Sequence, residues 1–402
     1  MGCVSSPPAR PQRDPRVTLA DIVRAEASSL GAIAPQQARA LSAIAACRTA
    51  ALGGHRSACD SCGESYLSYN SCRNRHCPQC QSLTQAKWVE RRQDDLLPVE
   101  YFHVVFTIPS ELRDLFLANQ AAAYGLLFAA ASESLTALGR DPRHIGAALG
   151  AMAVLHTWTQ ALVYHPHLHV IVPGGGPSTD KSSWVSCRRG FFLPVRALAV
   201  LFRGKLLGAL EKALAEGRMV PAPGVDSQRA LRRAARKRWC IHSKPSFVGP
   251  EHVIRYLGRY THRIAITNGR LVAYENGQVT FQYTDRASGT SRRMTLPAVQ
   301  FLRRYLMHVL PAGFVRIRYF GGLSHATRKP WLALSRRLLA ETGVEAPEPR
   351  STPPETWQEL LLRLTGIDVT RCRKCQTGRL VVVERFEPES AARDGRAREG
   401  PT

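Results

Sequence analysis

The apolar and polar positions of the chain follow two periods, which predicts a mixture of helices and strands. Apolar runs at 102–108, 151–158 and 168–172 predict three strands. Helical periodicity predicts helices within 17–50, 83–96, 194–216 and 297–309, and a long helix from Ser110 to about Leu138. A short strand is expected at 314–319, and 217–247 is expected to be a loop-rich basic connection. The fold class predicted from this pattern is α+β, with an antiparallel sheet flanked by helices.

Turn signals and composition divide the predicted elements into domains. Asn268-Gly269 and Asn276-Gly277 each separate short β-rich runs, which predicts two hairpin turns. Composition predicts a disordered basic tail over 1–16, a helical and cysteine-rich domain over 17–96, and a larger domain over 97–345. A C-terminal tail over 346–402, partly disordered, contains one isolated CxxC pair, Cys372 and Cys375.

The chain is strongly basic, and this bears on its partner. It has 55 Lys and Arg residues against 31 acidic residues, a formal net charge of +24. Such an excess favours nucleic acid as the partner. No run of 18 apolar residues and no secretory signal is present, so we expect no membrane partner and a cytoplasmic, nucleoid-associated location. No P-loop motif is present either, so any helicase that the protein needs is expected to come from the host.

Cysteine and histidine residues between 47 and 80 have the spacing of zinc ligands. Two CxxC pairs stand fourteen residues apart, and each can present two sulfurs to one tetrahedral ion. The sequence predicts one structural zinc on these pairs and leaves open a second zinc on four further residues. The first set is Cys59, Cys62, Cys77 and Cys80, and the second is Cys47, His55, Cys72 and His76. Arg73 and Arg75 lie between these ligands and are expected to contact DNA.

A second set of metal ligands is expected in the strand at 168–172. His167 and His169 alternate in this strand and therefore point to the same face. If 151–162 and 167–172 form a hairpin, Gln160 lies nearly opposite His169 and is the preferred third ligand, with His156 as the alternative. Nitrogen and oxygen ligands with open positions suit Mg²⁺ or Mn²⁺ at a phosphate.

Tyr256 and Tyr260 are spaced to share one face of a helix that begins near Pro250. Arg255, Arg259 and Arg263 surround them, and this cationic setting favours a role at phosphate over packing in a core. We therefore expect the tyrosines to attack a phosphate in DNA that the histidine-bound metal polarises.

These motifs together resemble the rolling-circle insertion-sequence transposases, the two-tyrosine HUH family of the insertion sequence 91 type. The resemblance covers Cys47 to about Leu339 and includes residues 69–80, 155–160, 165–176 and 255–266. It implies an HUH endonuclease domain preceded by a zinc-binding domain. It assigns metal binding to His167 and His169, and the nucleophilic role to Tyr256 and Tyr260. At 319–321 the chain has Tyr-Phe-Gly, where the family usually has His-Tyr-Gly.

The expected function is transposition of an insertion sequence by a rolling-circle-like route. Single-stranded ends and target DNA would be nicked and joined through a 5′-phosphotyrosine. A replication initiator or relaxase would share this chemistry, but the cysteine block and the missing helicase disfavour it. The third hypothesis is a catalytically inactive, zinc-dependent DNA-binding protein.

Overall fold

The computed structural model describes residues 17–80, 82–245, 265–285, 288–344 and 355–388. The helices of these ranges are α1 (Leu19–Glu26), α2 (Pro35–Ala46), α3 (Ser82–Gln93), α4 (Arg113–Ala118), α5 (Gln120–Arg140), α6 (Val195–Ala215), α7 (Ser227–Arg236), α8 (Ala298–Leu306), α9 (Arg328–Glu341) and α10 (Trp357–Thr365). The strands are β1 (Gly54–Cys59), β2 (Ser65–Tyr69), β3 (Tyr101–Thr107), β4 (Gly150–Trp158), β5 (Tyr164–Pro173), β6 (Gly175–Pro177), β7 (Trp184–Ser186), β8 (Ile241–Pro245), β9 (Leu271–Glu275), β10 (Gln278–Thr284), β11 (Ser291–Pro297), β12 (Ile317–Gly321) and β13 (Leu380–Phe386).

A five-stranded antiparallel sheet positions the candidate site. Its strand order is β12-β4-β5-β3-β8. One face packs against α5 and α6 and contributes alternate side chains, such as Phe106, Leu155 and Val170, to the largest core. The opposite face carries a small apolar cluster that includes Met152 and Ile171, with Trp88 of α3 packed on it. This second face is also the one on which the strand histidines lie.

A second core joins segments that are distant in the sequence. The N-terminal helices α1 and α2 pack with β9, β10, β11 and α8, so that Ile22, Ile44, Phe281 and Phe301 are buried together. The helices of the predicted 17–96 domain therefore share a core with part of the 97–345 domain. Because their apolar side chains are buried in the same cluster, these segments pack as one unit.

The C-terminal segment is not a free tail in the part that the structure describes. Strand β13 pairs antiparallel with β1, which also pairs with β2. Leu380 lies opposite Cys59 and Phe386 lies opposite Gly54. The chain therefore returns to the cysteine-rich module near its N-terminus.

Two predicted elements differ from the observed ones. The segment expected to be a basic loop contains α7 and β8. Asp226 caps α7 by accepting a hydrogen bond from the Arg229 amide at 2.9 Å, and Leu231 and Ala234 are buried. The predicted long helix from Ser110 is interrupted at Asn119, whose side-chain amide donates to the Val220 carbonyl at 2.8 Å. The first difference involves a local helix cap, and the second involves a hydrogen bond to a residue distant in the sequence. Apolar periodicity records neither contact.

The two Asn-Gly sequences have different structures. Asn276 and Gly277 form the predicted hairpin turn between β9 and β10, with φ angles of 50° and 71°. This pair of positive angles is typical of a type I′ turn. Asn268 and Gly269 instead belong to a 3₁₀ turn that leads into β9, so the prediction of a hairpin there is wrong.

Helix α5 is long and apolar enough to span a membrane by length and composition alone. It is 21 residues long, and Tyr124, Leu127 and Leu135 along it are buried in the largest core. A buried core helix passes the same test, so α5 is weak evidence for a membrane span.

Replacing Gly277 with alanine should destabilise the protein, whereas the same change at Gly269 should not. A side chain at φ 71° is strained by about 1 kcal/mol, and a Cβ at Gly269 meets open space without a positive φ. Urea unfolding of the two variants measures the difference. Equal effects of the two substitutions would contradict the assignment of the turn.

Candidate active site and metal centres

Three histidines meet on the face of the central sheet that lies opposite α5 and α6. His156 of β4 lies directly opposite His167 of β5, and His169 follows two residues later on the same face. One ring nitrogen from each histidine lies within 4.8 Å of the others. All three side chains are buried, and the Nε2 atoms of His167 and His169 are 3.1 Å apart. Three converging imidazoles are a chemically suitable set of ligands for a divalent metal.

Hydrogen bonds orient two of these rings for metal binding. His167 Nδ1 donates to the His165 carbonyl at 2.7 Å, which leaves a lone pair on Nε2. His169 Nδ1 lies 2.8 Å from Nε2 of His103, with the two rings nearly parallel. Burial, reinforced by Lys244, lowers the pKa of His103 to about 4, so His103 is neutral and can accept this hydrogen bond. The Nε2 of His169 then also presents a lone pair to the cluster.

The strand register identifies His156 as the third histidine and corrects the expected position of Gln160. Val154, and not Gln160, lies opposite His169. Strand β4 ends at Trp158, because the Thr159 amide donates to the Val163 carbonyl and closes a turn that contains Gln160. A register shift between His156 and Trp158 separates this turn from the paired strands.

An aromatic ring and a cation pack behind His156. The indole of Trp158 stacks on the His156 ring with centroids 4.7 Å apart. The guanidinium of Arg316 lies 5.3 Å from the Trp158 ring centroid, and its Nε donates to the Leu155 carbonyl. Burial, together with nearby Arg75, lowers the pKa of Arg316 to about 9. Arg316 therefore places a cation close to the histidine cluster.

Both predicted nucleophiles lie outside the described residues. Tyr256 and Tyr260, with Arg255, Arg259 and Arg263, belong to the segment 246–264. The described residues on either side of this segment lie near the histidines. Before it, Lys244 of β8 pairs with His103, and after it, Ala265 lines a pocket with Trp158 and Arg316.

The cysteines form two four-sulfur clusters, which differ from the predicted grouping. One contains Cys47, Cys72, Cys77 and Cys80, and the other contains Cys59, Cys62, Cys372 and Cys375. Sulfur–sulfur distances within them include 3.4 Å for Cys47–Cys80 and 3.6 Å for Cys59–Cys375. The prediction that Cys59 and Cys62 share an ion with Cys77 and Cys80 is therefore wrong. The pairing of β13 with β1 brings the C-terminal CxxC to the first pair and completes its tetrahedral set.

The two histidines predicted in the second zinc set lie apart from the cysteine clusters. His55 is in β1, opposite Ser68 and Arg385. His76 lines the pocket that contains Arg316 and His308, and Tyr305 donates to the His76 carbonyl at 2.6 Å. Burial, together with nearby Arg75 and Arg316, lowers the pKa of His76 to about 3.

The two arginines of the cysteine block have different surroundings. Arg75 donates to the Phe314 carbonyl at 2.7 Å and to the Pro311 carbonyl at 2.9 Å. It therefore fastens the zinc module to the strand-rich domain, and this geometry argues against the predicted DNA contact. Arg73 is exposed and has a φ of 51°, so it stays a candidate for DNA contact.

Crowding of the thiols is consistent with metal binding. Burial and the neighbouring Cys80 and Cys47 raise the pKa of Cys72 to about 12, and burial raises the pKa of Cys77 still further. Four thiolates at this separation repel one another, and a divalent cation removes this repulsion. Both sets have the four sulfurs of a closed structural zinc site.

Three observations could have been anticipated only in part from the sequence. His103, a histidine in an otherwise apolar strand, is a sequence signal that points to this face of the sheet. The isolated Cys372–Cys375 pair was recognised without its partners. Arg316 and Trp158 carried no spacing signal, because their contact depends on the pairing of β12 with β4.

The antiparallel sheet with its buried histidine triad, preceded by a cysteine-rich module, fits an HUH-type site next to a zinc-binding domain. A family model described as "Transposase zinc-binding domain" matches residues 19–108, and one described as "Putative transposase" matches residues 150–330. "Putative transposase y4qJ" of Sinorhizobium fredii is 46% identical over 360 residues, covering 87% of this chain and 90% of that protein. The transposase for insertion sequence element IS801 of Pseudomonas savastanoi pv. phaseolicola is 28% identical over 338 residues, covering 82% of this chain and 79% of that protein.

The chain belongs to the family of transposases of the insertion sequence 91 type. This confirms the predicted family and the α+β fold with its N-terminal zinc-binding domain.

Replacing Cys372 and Cys375 together with serine should lower the zinc content from two ions per chain to one. The second cluster then keeps only two thiols, too few for a tetrahedral zinc. Elemental analysis of the purified protein measures the ratio. The control is Cys187→Ser, outside both clusters, and an unchanged ratio in the double variant would contradict the C-terminal ligands.

His103→Ala should weaken Mn²⁺ binding at the histidine cluster by about 10- to 100-fold, because it removes the hydrogen bond that orients His169. Titration followed by the electron paramagnetic resonance of free Mn²⁺ gives the affinity without any DNA reaction. The exposed His144→Ala is the matched control. Equal affinities for the two variants would show that His103 does not orient the ligand.

Proposed function

We propose that the protein is a DNA transposase that nicks and joins single DNA strands through a 5′-phosphotyrosine intermediate. The observation that carries this proposal is the buried triad of His156, His167 and His169 on one sheet face. The names of the relatives, which are transposases, support the choice of DNA as substrate.

The triad provides the setting for phosphate activation. The side-chain hydrogen bonds of His167 and His169 leave lone pairs on the atoms that converge. A divalent metal held there would withdraw electron density from the scissile phosphate and stabilise the charge that develops on it. We expect Mn²⁺ to serve at lower concentration than Mg²⁺, because imidazole nitrogen binds Mn²⁺ more readily than the harder Mg²⁺.

Tyr256 and Tyr260 are the proposed nucleophiles. The described residues on either side of their segment lie near the histidines. Lys244 is opposite His103, and Ala265 lines a pocket with the Trp158 ring that stacks on His156. In the proposed step the tyrosine oxygen attacks phosphorus and loses its proton. The bond to the 3′-oxygen breaks, and that oxygen leaves as a hydroxyl. The 5′-phosphotyrosine conserves the bond energy, and a free 3′-hydroxyl can reverse the step on a different strand.

The proposed partners follow from the charge of the protein. A net charge of +24 and the exposed Arg73 suit phosphate backbones. We propose single-stranded element ends and target DNA as substrates, a host helicase as the source of single strands, and a cytoplasmic, nucleoid-associated location.

The test is the formation of a covalent adduct. The protein is incubated with single-stranded DNA from an end of the element and Mn²⁺, and the products are resolved by denaturing electrophoresis. We expect an adduct with the unaltered protein, none with Tyr256→Phe/Tyr260→Phe, and at least about 100-fold slower formation with His167→Ala. Tyr69→Phe, in the zinc module, is the control and should form the adduct normally.

Chelation separates the two kinds of metal site. Brief EDTA treatment should abolish the adduct and leave most of the four-sulfur zinc in place, since closed thiolate sites hold zinc tightly. DNA binding by the unaltered protein with no adduct at any Mn²⁺ concentration would contradict the catalytic proposal. The protein would then be an inactive zinc-dependent DNA-binding protein.

A further inference from the structure

A groove beside the edge strand β8 has the composition of a nucleic-acid contact. It lies between the start of α6, the end of α7 and β8. Its described lining is Val195, Arg196, Ala199, Val200, Arg203, Arg238, Trp239, Cys240, Ile241 and His242. This lining contains three arginines and, among the residues that the structure describes there, no carboxylate.

The arginines of this groove are placed to face solvent anions. Arg196 and Arg238 are exposed, and Arg203 is half-buried with one guanidinium nitrogen 3.3 Å from the Ala235 carbonyl. The neighbouring Lys237 is instead paired with Glu111 at 3.2 Å. The positive charge of the groove is therefore carried by its arginines.

The floor between these arginines is partly apolar and open. Val200 is 60% exposed and Val195 is 38% exposed, although both lie on a helix that otherwise packs in the largest core. Unpaired bases and sugars present apolar surface beside their phosphates, whereas a duplex turns its phosphates outward. This mixture of arginine and valine fits one DNA strand better than two.

The register of the sheet connects the groove to the histidine cluster. His242 lies opposite Val105 in β3, and Val105 lies opposite His169 in β5. Side chains that face each other across strands lie on the same face, so His242 shares the face of His169, whereas the α6 residues of the groove lie on the opposite face, next to the β8 edge. Two strand spacings separate them, which is about 10 Å. Lys244, on the same face two residues along, lies opposite His103.

We propose that this groove, which we call the β8 groove, binds the single strand of DNA that flanks the scissile phosphate. The strand leaves the histidine cluster, crosses β3 and β8 past Lys244 and His242, passes round the β8 edge, and enters between Arg238 and Arg196. The inference rests on the proposed function for its choice of DNA. It adds a binding surface at β8, the edge strand opposite β12.

The first test measures binding without chemistry. In a Tyr256→Phe/Tyr260→Phe background, fluorescence anisotropy gives the affinity for a single strand of about 20 nucleotides. This length is enough to span a single-strand binding site. Arg196→Ala/Arg238→Ala should weaken binding about tenfold. The slope of log affinity against log salt should fall by about 1.4, because two phosphate contacts are lost. Arg196→Lys/Arg238→Lys should keep most of the affinity.

The matched control removes the same charge elsewhere. Arg218→Ala/Arg143→Ala changes two exposed arginines, and Arg218 follows the far end of α6, which lies about 18 Å along the helix from Arg203 of the groove. The control should change affinity less than twofold. Equal losses for the control and the groove variant, or equal losses for single-stranded and duplex DNA, would overturn the proposal.

The second test reports the location directly. Cys240 is exposed in the β8 groove, so bound DNA should slow its alkylation, measured by mass spectrometry of the Cys240 peptide. Saturating single-stranded DNA with no effect on Cys240 would place the strand elsewhere. This result does not depend on adduct formation, so failure of the groove and failure of the proposed chemistry are distinguishable.

Discussion

The pairing of β4 with β5 is the interaction on which the candidate site depends. It places His156 opposite His167, and alternation along β5 adds His169 to the same face. A shift of one residue in this pairing would turn His156 to the opposite face of the sheet, into the apolar core. The register is fixed because that other face buries Leu155, Leu168 and Val170 against α5 and α6. Burial on one face thus determines ligand geometry on the other.

The zinc module and the sheet are coupled through contacts at both ends of the chain. Strand β13 returns the C-terminal CxxC to Cys59 and Cys62, while Arg75 donates to carbonyls of residues 311 and 314. The N-terminal helices bury their apolar faces against α8 and the sheet of β9, β10 and β11. The cluster of Cys59, Cys62, Cys372 and Cys375 therefore joins segments that are far apart in the sequence. Zinc held by either cluster would stabilise the fold, because its ligands come together only in the folded chain.

The surroundings of the histidines give the site its electrostatic character. His103, half-buried and neutral, accepts a hydrogen bond from His169, and Trp158 separates His156 from the Arg316 cation. The basic β8 groove lies at the β8 edge of the same sheet, between that edge and α6. Positive charge on both sides of a metal-binding cluster suits a substrate whose phosphates continue in two directions from the reacting one.

The sequence alone determined the features that depend on local spacing. Alternation placed His167 and His169 on one face, and the apolar runs predicted three strands. Asn276-Gly277 predicted a hairpin turn, and the CxxC pairs predicted zinc binding. Each of these features depends only on residues that are close together in the sequence. The family resemblance likewise rests on short sequence motifs. The tertiary structure decided which distant partners met. It placed His156, and not Gln160, beside His167 and His169 as the third candidate ligand. It also divided eight cysteines between two clusters and brought Cys372 and Cys375 to Cys59. Strand register and packing of remote segments set these contacts, and neither is encoded in the spacing of one motif.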